Sequence, residues 1–276
     1  MHGYAVALVL FSAIIHATWN GLLKGCNDRA QFMANMALAV GVLALICVPF
    51  VPFPVRSSWW CIALSSVLHL VYNLLLLENY KRSDFSSAYP IARGISPLLV
   101  TLGGFLLMQQ RPADFAIFGV ALISAGIVFL STAQAKTDKY ANLAALATGA
   151  AIAAYTVVDG MGIQRSRGTL SYTMWVFASY LFVPVVLLLR ISIRRLTVQS
   201  MLRPAGAGIF SLAAYTLVLW ATHYVDVGIV SALRETSVLW AVIIGRLFLA
   251  ETLTWKRISS ALMICCGVFL LISNSV

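Results

Sequence analysis

The chain has 276 residues, of which 61% are hydrophobic and only 10% are charged, and its mean hydropathy is +0.91. A soluble domain carries about 25% charged residues, so this composition excludes a soluble globular protein and predicts an all-α integral membrane protein. The net charge of +10 is attributed to basic loops that set membrane orientation, and nucleic acid is not expected as a partner.

Ten apolar runs follow one another along the chain and predict ten transmembrane helices. At about 1.5 Å per residue, a helical run of about 20 residues crosses the roughly 30 Å hydrocarbon core of a bilayer. Transmembrane β-strands would be about ten residues long and would alternate polar with apolar residues, and these runs do not. The short connections leave no room for a soluble domain. The predicted spans are residues 3–23, 31–53, 59–80, 86–107, 114–132, 140–162, 170–190, 204–224, 229–249 and 257–273.

Basic residues are unevenly divided between the two sets of loops: 12 follow odd-numbered spans and 4 follow even-numbered spans. The positive-inside rule places the richer set in the cytoplasm. We therefore expect a multi-pass protein of the plasma (inner) membrane with both termini outside. The 12 are Lys24, Arg29, Lys81, Arg82, Lys136, Lys139, Arg190, Arg194, Arg195, Arg203, Lys256 and Arg257, and the 4 are Arg56, Arg111, Arg165 and Arg167.

The second half of the chain repeats the first. Residues 1–135 and 136–276 each hold five predicted spans. Because five is an odd number of crossings, the second copy enters the membrane upside down, and the halves form inverted repeats. Such repeats can open to either side by rocking against each other, which is the basis of alternating access in secondary transporters. The matching residues are Asn20 with Asp159, Tyr72 with Tyr215, Arg93 with Arg234, Ser96 with Ser237, and Gly104 with Gly245.

Sequence motifs in both halves resemble the EamA-type proteins of the drug/metabolite transporter superfamily. The second half contains Tyr-Thr-Leu-Val-Leu-Trp-Ala from Tyr215, then Val-Ser-Ala-Leu-Arg-Glu-Thr-Ser, then Leu-Phe-Leu-Ala-Glu-Thr-Leu-Thr. The first half matches from Ser-Ser-Ala-Tyr-Pro, which begins at Ser86, to Pro97-Leu98. The resemblance implies ten helices in two inverted five-helix repeats around a central cavity. It also implies basic residues on the fourth and ninth helices, as in the phosphate-ester translocators of this superfamily.

Two arginines lie inside predicted spans at equivalent repeat positions. Arg93 is about seven residues into the fourth span, roughly 10 Å deep, and Arg234 lies in the ninth. A charge near mid-bilayer costs about 2.5–3.5 kcal/mol on insertion scales, so we expect both arginines to face a cavity and contact substrate. The alternative is structural pairing with Glu78 or Glu235. Neighbouring helical residues are about 100° apart, so Glu235 is expected not to face Arg234.

Two prolines flank Arg93 in the fourth span. Pro90 and Pro97 each remove a backbone donor and disturb the preceding turn, which predicts a kink with free carbonyl groups. Interrupted helices at mid-membrane are a sequence signature of transporter binding sites. The alternative is a packing kink without a role in ligand binding.

Further polar and aromatic residues complete the predicted site. His69 and Asn73 share a face of the third span because they are four residues apart, although a lone histidine in a bundle is commonly a core residue. Asp159 lies near the outer end of the sixth span, where pairing with Arg165 or Arg167 is the alternative. The predicted substrate-binding residues are Arg93, Arg234, Trp19, Asn20, Tyr72, Asn73, His69, Tyr215, Ser237, Glu235, Asp159 and Trp240.

The sequence carries no hydrolase, paired-aspartate, metal-ligand or phosphate-loop motif, so we predict neither an enzyme nor a cofactor, a metal or ATP drive. Two cavity arginines favour an anionic group, because the guanidinium fork matches carboxylate and phosphate oxygens. The sequence therefore predicts a secondary transporter of a small anionic or zwitterionic metabolite that is amino-acid-like, a carboxylate or an organophosphorus compound.

Two alternatives stay open from the sequence. An exporter of drugs or organic cations would need both arginines neutralised by internal carboxylates. A lipid-modifying membrane enzyme would need an acid, a base and a nucleophile that converge at one interface. The expected partners are the small-molecule substrate, membrane lipids and a proton as candidate coupling ion, and the expected assembly is a monomer or a homodimer.

Overall fold

The computed structural model describes residues 2–24, 26, 28–82, 85–131, 139–190, 198–248 and 254–273. Within these ranges the chain is helical and contains no strand. Two short 3-10 turns, Val48–Phe50 and Arg56–Ser58, join the second and third helices. The α-helices are α1 His2–Lys24, α2 Arg29–Cys47, α3 Trp59–Arg82, α4 Phe85–Met108, α5 Asp114–Ser131, α6 Lys139–Gln164, α7 Thr169–Ser179, α8 Phe182–Arg190, α9 Val198–Ala221, α10 Val227–Arg234, α11 Ser237–Phe248 and α12 Trp255–Ser273.

Nine helical segments in the described part of the chain are long and apolar enough to cross a membrane. They correspond to nine of the ten predicted spans, while the predicted fifth span corresponds to the shorter apolar helix Asp114–Leu130. The chain is therefore a multi-pass membrane protein whose spanning segments, where the structure describes them, are helices. The nine segments are Gly3–Leu23, Arg29–Phe50, Arg56–Glu78, Pro90–Met108, Asn142–Gln164, Thr169–Leu187, Ser200–Ala221, Val227–Ile244 and Trp255–Ser273.

Two predicted spans each consist of two helices rather than one. The seventh span turns at Tyr180 and Leu181, between α7 and α8, and the ninth turns at Glu235 and Thr236, between α10 and α11. By contrast, α4 runs as one helix with Pro90 and Pro97 inside it. The interruption near a buried arginine therefore lies in the ninth span, and the fourth span is continuous.

Helices of one half pack mainly on helices of the other half. α1 packs on α9 as α3 packs on α6, and α1 contacts α10 and α11 as α6 contacts α4. α5 and α12 lie side by side, where a Cβ added to Gly119 would sit 3.0 Å from the carbonyl oxygen of Gly267. Such small residues let helix backbones approach closely in lipid. This intermingled packing leaves a cavity between α1, α3, α6 and α9.

One end of the molecule is closed by side-chain and backbone contacts. Ser171 donates a hydrogen bond to the carbonyl oxygen of Pro52 at 2.5 Å, and the rings of Phe53 and Trp175 pack at 4.8 Å. We call this region, Pro52, Phe53, Ser171 and Trp175, the sealed end. The cavity instead reaches the opposite end of α1 at Leu23.

Candidate functional site

A central cavity of about 100 Å³ is lined by helices from both halves of the chain. Twelve residues were predicted to bind substrate, and the structure brings most of them to this cavity. Eight line it directly: Arg93, Arg234, Trp19, Asn20, Tyr72, Asn73, His69 and Tyr215. Glu235 and Ser237 lie behind the arginines, Asp159 lies behind Tyr215, and Trp240 is 37% exposed on α11, away from the cavity lining.

Arg93 links α4 to the interrupted ninth span. Its Nε atom lies 2.6 Å from Glu235 Oε2, in an ion pair without good hydrogen-bond direction. Its Nη2 atom donates to Ser237 Oγ at 3.1 Å. The Arg93 side chain is only 6% exposed. Arg93 therefore lines the cavity and also pairs with Glu235, and this pairing was the structural alternative.

Arg234 occupies the equivalent repeat position in different surroundings. It is the last residue of α10 and is 4% exposed. Its Nε atom lies 3.9 Å from Glu235 Oε1, so the prediction that Glu235 would not face Arg234 is wrong. The physical reason is that α10 ends at Arg234, and the 100° spacing of a continuous helix no longer applies across the turn.

The Arg234 guanidinium has unused hydrogen-bonding capacity. Its Nε and Nη2 atoms are buried and have no acceptor in the described structure, although the residue lines the cavity. Buried donors without partners are costly. Two arginines share the single carboxylate of Glu235, so this group of three side chains has one positive charge in excess. The arrangement is suited to an anionic ligand group in the cavity.

The end of α10 itself favours a cation. The backbone N–H groups of Glu235 and Thr236 turn back to the carbonyls of Ala232 and Leu233 at 3.0 and 3.1 Å. The C-terminal end of a helix carries a partial negative charge that stabilises a nearby cation. The helix break thus helps to hold Arg234 without neutralising it fully.

Aromatic rings form much of the remaining wall. His69 stacks on Tyr155 with centroids 4.2 Å apart and meets Tyr180 and Tyr215 edge-on. Asn73 Nδ2 donates to the hydroxyl of Tyr180 at 3.2 Å. Most of this wall is therefore made of amphipathic side chains that offer both an apolar face and a polar tip.

Several lining residues were missed by sequence reasoning. The clearest is Tyr155, which lies near Arg234 and interacts with it. The repeat alignment that matches Asn20 with Asp159 also matches His16 with Tyr155, and this signal was available. The further missed residues include Ser12, His16, Phe177, Tyr180 and Ser211.

Three residues on one face of α1 are joined by hydrogen bonds. Trp19 Nε1 donates to His16 Nδ1 at 3.2 Å, and Asn20 Nδ2 donates to the carbonyl oxygen of His16 at 2.8 Å. The spacing of three and four residues places them on the same side of the helix. The predicted residues Trp19 and Asn20 therefore reach the cavity together with His16.

Asp159 was predicted to bind substrate, with pairing to a surface arginine as the alternative, and in the described structure it neither lines the cavity nor forms such a pair. It is fully buried, and its Oδ1 accepts a hydrogen bond from the Tyr172 hydroxyl at 2.8 Å. Its Oδ2 accepts from the Tyr215 hydroxyl. Arg165 instead lies over the ring of Trp60, 5.4 Å from its centroid. The reason is that Asp159 lies more than one turn inside α6 and faces α7 and α9.

His223 and Asp226 lie outside the spanning segments, between α9 and α10. Burial raises the pKa of Asp226 and lowers the pKa of His223, because both side chains lose part of their water. His223 Nε2 lies 3.2 Å from the Thr169 hydroxyl. These residues lie on the side of the sealed end and do not line the cavity.

Comparison with known proteins supports a single family. The EamA-like transporter family matches residues 3–132 and 139–273. The uncharacterized transporter YwfM of Bacillus subtilis (strain 168) is 25% identical over 208 residues, which are 71% of this chain and 68% of that protein. A crystal structure of another protein aligns with a TM-score of 0.74 at 17% identity, over 97% of this chain and 96% of that chain. The last likeness concerns the fold alone, whereas the family match covers nearly the whole sequence, and the chain belongs to the EamA-like transporter family.

Proposed function

We propose that this protein is a secondary transporter that moves a small anionic or zwitterionic metabolite across the membrane by alternating access. The observation that carries the proposal is Arg234, a buried arginine at the cavity with two N–H-bearing nitrogens lacking acceptors. A ligand carboxylate, phosphate or phosphonate supplies the missing acceptors, and the guanidinium fork suits such planar or multi-oxygen groups.

The charge balance limits the ligand further. Glu235 contacts both arginines, so one positive charge remains for the ligand. A single anionic group matches this excess. The aromatic wall around His69 and Tyr155 suits an ammonium group or an apolar side chain on the same ligand. An amino-acid-like, carboxylate or organophosphorus compound combines these features.

Alternating access is supported by the organisation of the two halves. We propose that residues 1–135 and 136–276 are inverted five-helix repeats, as the family match to two successive segments and the reciprocal helix packing favour. The molecule has a sealed end and a cavity nearer the other end. By the positive-inside rule the cavity end faces the cytoplasm of the plasma membrane and both termini lie outside.

Export of organic cations is the second candidate, because the aromatic wall also suits cation–π contacts. The excess positive charge at Arg234 opposes it. A lipid-modifying enzyme is less well supported, since membership of a transporter family points to transport.

The test is uptake into vesicles that contain the purified protein. Labelled glycine, L-glutamate and 2-aminoethylphosphonate represent anionic and zwitterionic substrates, and tetraphenylphosphonium represents organic cations. Arg234→Gln should abolish uptake of any anionic or zwitterionic substrate that the wild type transports. Arg246→Gln is the matched control, since Arg246 is an exposed arginine in the same span and its loss should leave uptake unchanged.

The opposite pattern contradicts the proposal. If wild-type protein transports only tetraphenylphosphonium, and Arg234→Gln transports it equally well or better, the cation-export hypothesis replaces this one. An equal loss of uptake in Arg234→Gln and Arg246→Gln would mean that Arg234 has no special role in transport.

A further inference from the structure

Among the described residues, the proposed anion site leaves the buried acid Asp159 without a role. Asp159, Tyr172 and Tyr215 form a carboxylate cluster in which both oxygens of Asp159 accept a hydrogen bond from a tyrosine hydroxyl. Asp159 is 0% exposed. Within the described chain, no lysine or arginine forms an ion pair with it, in contrast to Glu235.

A buried carboxylate without a cation is expensive to keep ionised, and it commonly takes up a proton instead. The two tyrosine donors reduce that cost for the ionised form. A tyrosine hydroxyl can also accept a hydrogen bond, so protonated Asp159 can donate to the same partners. Both protonation states therefore keep hydrogen bonds, which is what a reversible proton site needs.

The carboxylate cluster joins three helices at the boundary between the cavity and the sealed end. Asp159 is on α6, Tyr172 is in the first turns of α7, and Tyr215 is on α9 and lines the cavity. Ser171, the neighbour of Tyr172, makes the hydrogen bond to Pro52 that belongs to the sealed end. A change at Asp159 thus acts on the helices that hold that end closed.

We propose that Asp159 binds the proton that couples transport to a proton gradient, and that its protonation state controls opening of the sealed end. This rests on the proposed transport function. A hydronium ion on the cavity side gives up a proton: one of its O–H bonds breaks, an O–H bond forms at an Asp159 oxygen, and a water molecule is left. The tyrosine hydroxyl at that oxygen turns from donor to acceptor, and release reverses both changes without any other reactant.

Other titratable groups also face the cluster and must be separated from Asp159. They come from α3, α6, α7 and α9, and a positive charge on His69 would stabilise the ionised form of Asp159. Its Nδ1 lies 2.9 Å from the carbonyl oxygen of Ser65. The groups are His69, Cys61, Tyr155, Tyr172 and Tyr215.

The first measurement uses the proton alone. Infrared difference spectra of the purified full-length protein between acidic and alkaline pH should contain a protonated-carboxyl band. Asp159→Asn should remove that band, whereas Asp226→Asn, which removes a half-buried aspartate outside the cluster, should retain it. His69→Gln should also retain it. Asp159→Glu should keep a carboxyl band at a shifted frequency.

The second measurement follows the sealed end. Ser171→Cys in a background without the native cysteines is labelled with a maleimide over a range of pH. At each pH the labelling rate is divided by the rate for the same protein carrying Asp159→Asn. This ratio cancels the pH dependence of thiol chemistry. We expect the ratio to change several-fold with pH. Asp159→Glu should retain the pH dependence with a shifted midpoint.

The proposal is overturned if Asp159→Asn leaves the carboxyl band intact, or if the labelling ratio stays constant with pH. Loss of the band together with a constant ratio also overturns it, because Asp159 would then titrate without control of access. Neither measurement uses an anion, so failure here leaves the uptake test of Arg234 standing, and failure of that test leaves these results readable.

Discussion

Arg93 and Arg234 occupy the same position in the two halves of the chain, and their surroundings differ. Arg93 has Glu235 at 2.6 Å and Ser237 at 3.1 Å. Arg234 has the same carboxylate only at 3.9 Å and keeps two nitrogens without an acceptor. The comparison shows that equivalent positions have different surroundings: one arginine is bound by protein groups, and the other keeps donors that, under our proposal, a ligand accepts from.

The local sequences explain this difference. Arg93 is followed by Gly94 and Ile95 in a continuous helix, whereas Arg234 is followed by Glu235 and Thr236 at a helix break. Only the second repeat therefore has an acidic residue directly after the arginine. This residue, Glu235, lies closer to Arg93 of the first repeat than to Arg234 of its own repeat. One residue makes the site asymmetric and ties α4 to the ninth span.

The largest expected effect comes from removing the shared carboxylate. Glu235→Gln leaves two buried cations close together without a counter-charge, and we expect the free energy of unfolding to fall by about 3–5 kcal/mol. Denaturant titration in detergent measures it. Adding Arg93→Gln to this variant should restore much of the loss. A decrease below about 1 kcal/mol would mean that the pair is not a buried ion pair in the membrane.

A smaller effect is expected when the planar guanidinium of either arginine is replaced with the ammonium group of lysine. Arg234→Lys keeps the charge but loses the planar fork, and we expect ligand affinity to fall by about 1.5–3 kcal/mol, roughly ten- to a hundredfold. Arg93→Lys should lower affinity less than Arg234→Lys and stability more, because Arg93 is bound to protein groups. Isothermal titration and thermal unfolding measure these quantities. A larger loss of affinity in Arg93→Lys than in Arg234→Lys, together with a smaller loss of stability, would contradict the roles assigned to the two arginines.

A still smaller effect compares the serines that follow the arginines at equivalent positions. Ser237→Ala removes one acceptor of Arg93, at Nη2, and should lower the free energy of unfolding by about 1 kcal/mol. Ser96 has a buried hydroxyl without a hydrogen-bond partner in the described structure, so Ser96→Ala should be neutral or stabilising. Equal losses in the two variants would show that the Arg93–Ser237 hydrogen bond is not special.

The smallest effect on the protein is expected from a cysteine probe that tests which side of the membrane the cavity end faces. Ser200 is exposed near the start of α9, and its carbonyl oxygen lies 3.4 Å from Asn35 Nδ2 on α2. Ser200→Cys, in a background lacking Cys26, should resist an impermeant thiol reagent on intact cells and react after permeabilisation. Strong labelling from outside would invert the predicted orientation.

Hydropathy predicted the spans well because the bilayer sets a helix length that any apolar run of about 20 residues reveals. The orientation count relied partly on Lys136, Arg194 and Arg195, which lie outside the described residues. Hydropathy does not detect a break inside an apolar run, and for this reason the turn at Glu235 was missed. Because of this helix break, the 100° spacing of a continuous helix did not apply, and the prediction that Glu235 would not face Arg234 was wrong.

The site was predicted in part for a related reason. Charge inside a span marks a residue that must face a cavity or a partner, so Arg93 and Arg234 were found from sequence. The rotation of each helix about its axis is not encoded in composition, so Trp240 was predicted at the site but lies on an exposed face. Tyr155 was missed because a tyrosine in a span carries no such cost.

The central claim is that Arg234 binds the anionic group of a ligand, and a thermal-shift measurement tests it most directly. Wild-type protein, Arg234→Gln and Arg246→Gln in detergent are heated with each of a panel of anionic, zwitterionic and cationic metabolites. A ligand at about 100 times its Kd stabilises the native state by about 2.7 kcal/mol. We predict that anionic or zwitterionic compounds raise the unfolding temperature of wild type and Arg246→Gln, and leave that of Arg234→Gln unchanged. Stabilisation by organic cations alone, with equal shifts in Arg234→Gln, would contradict it.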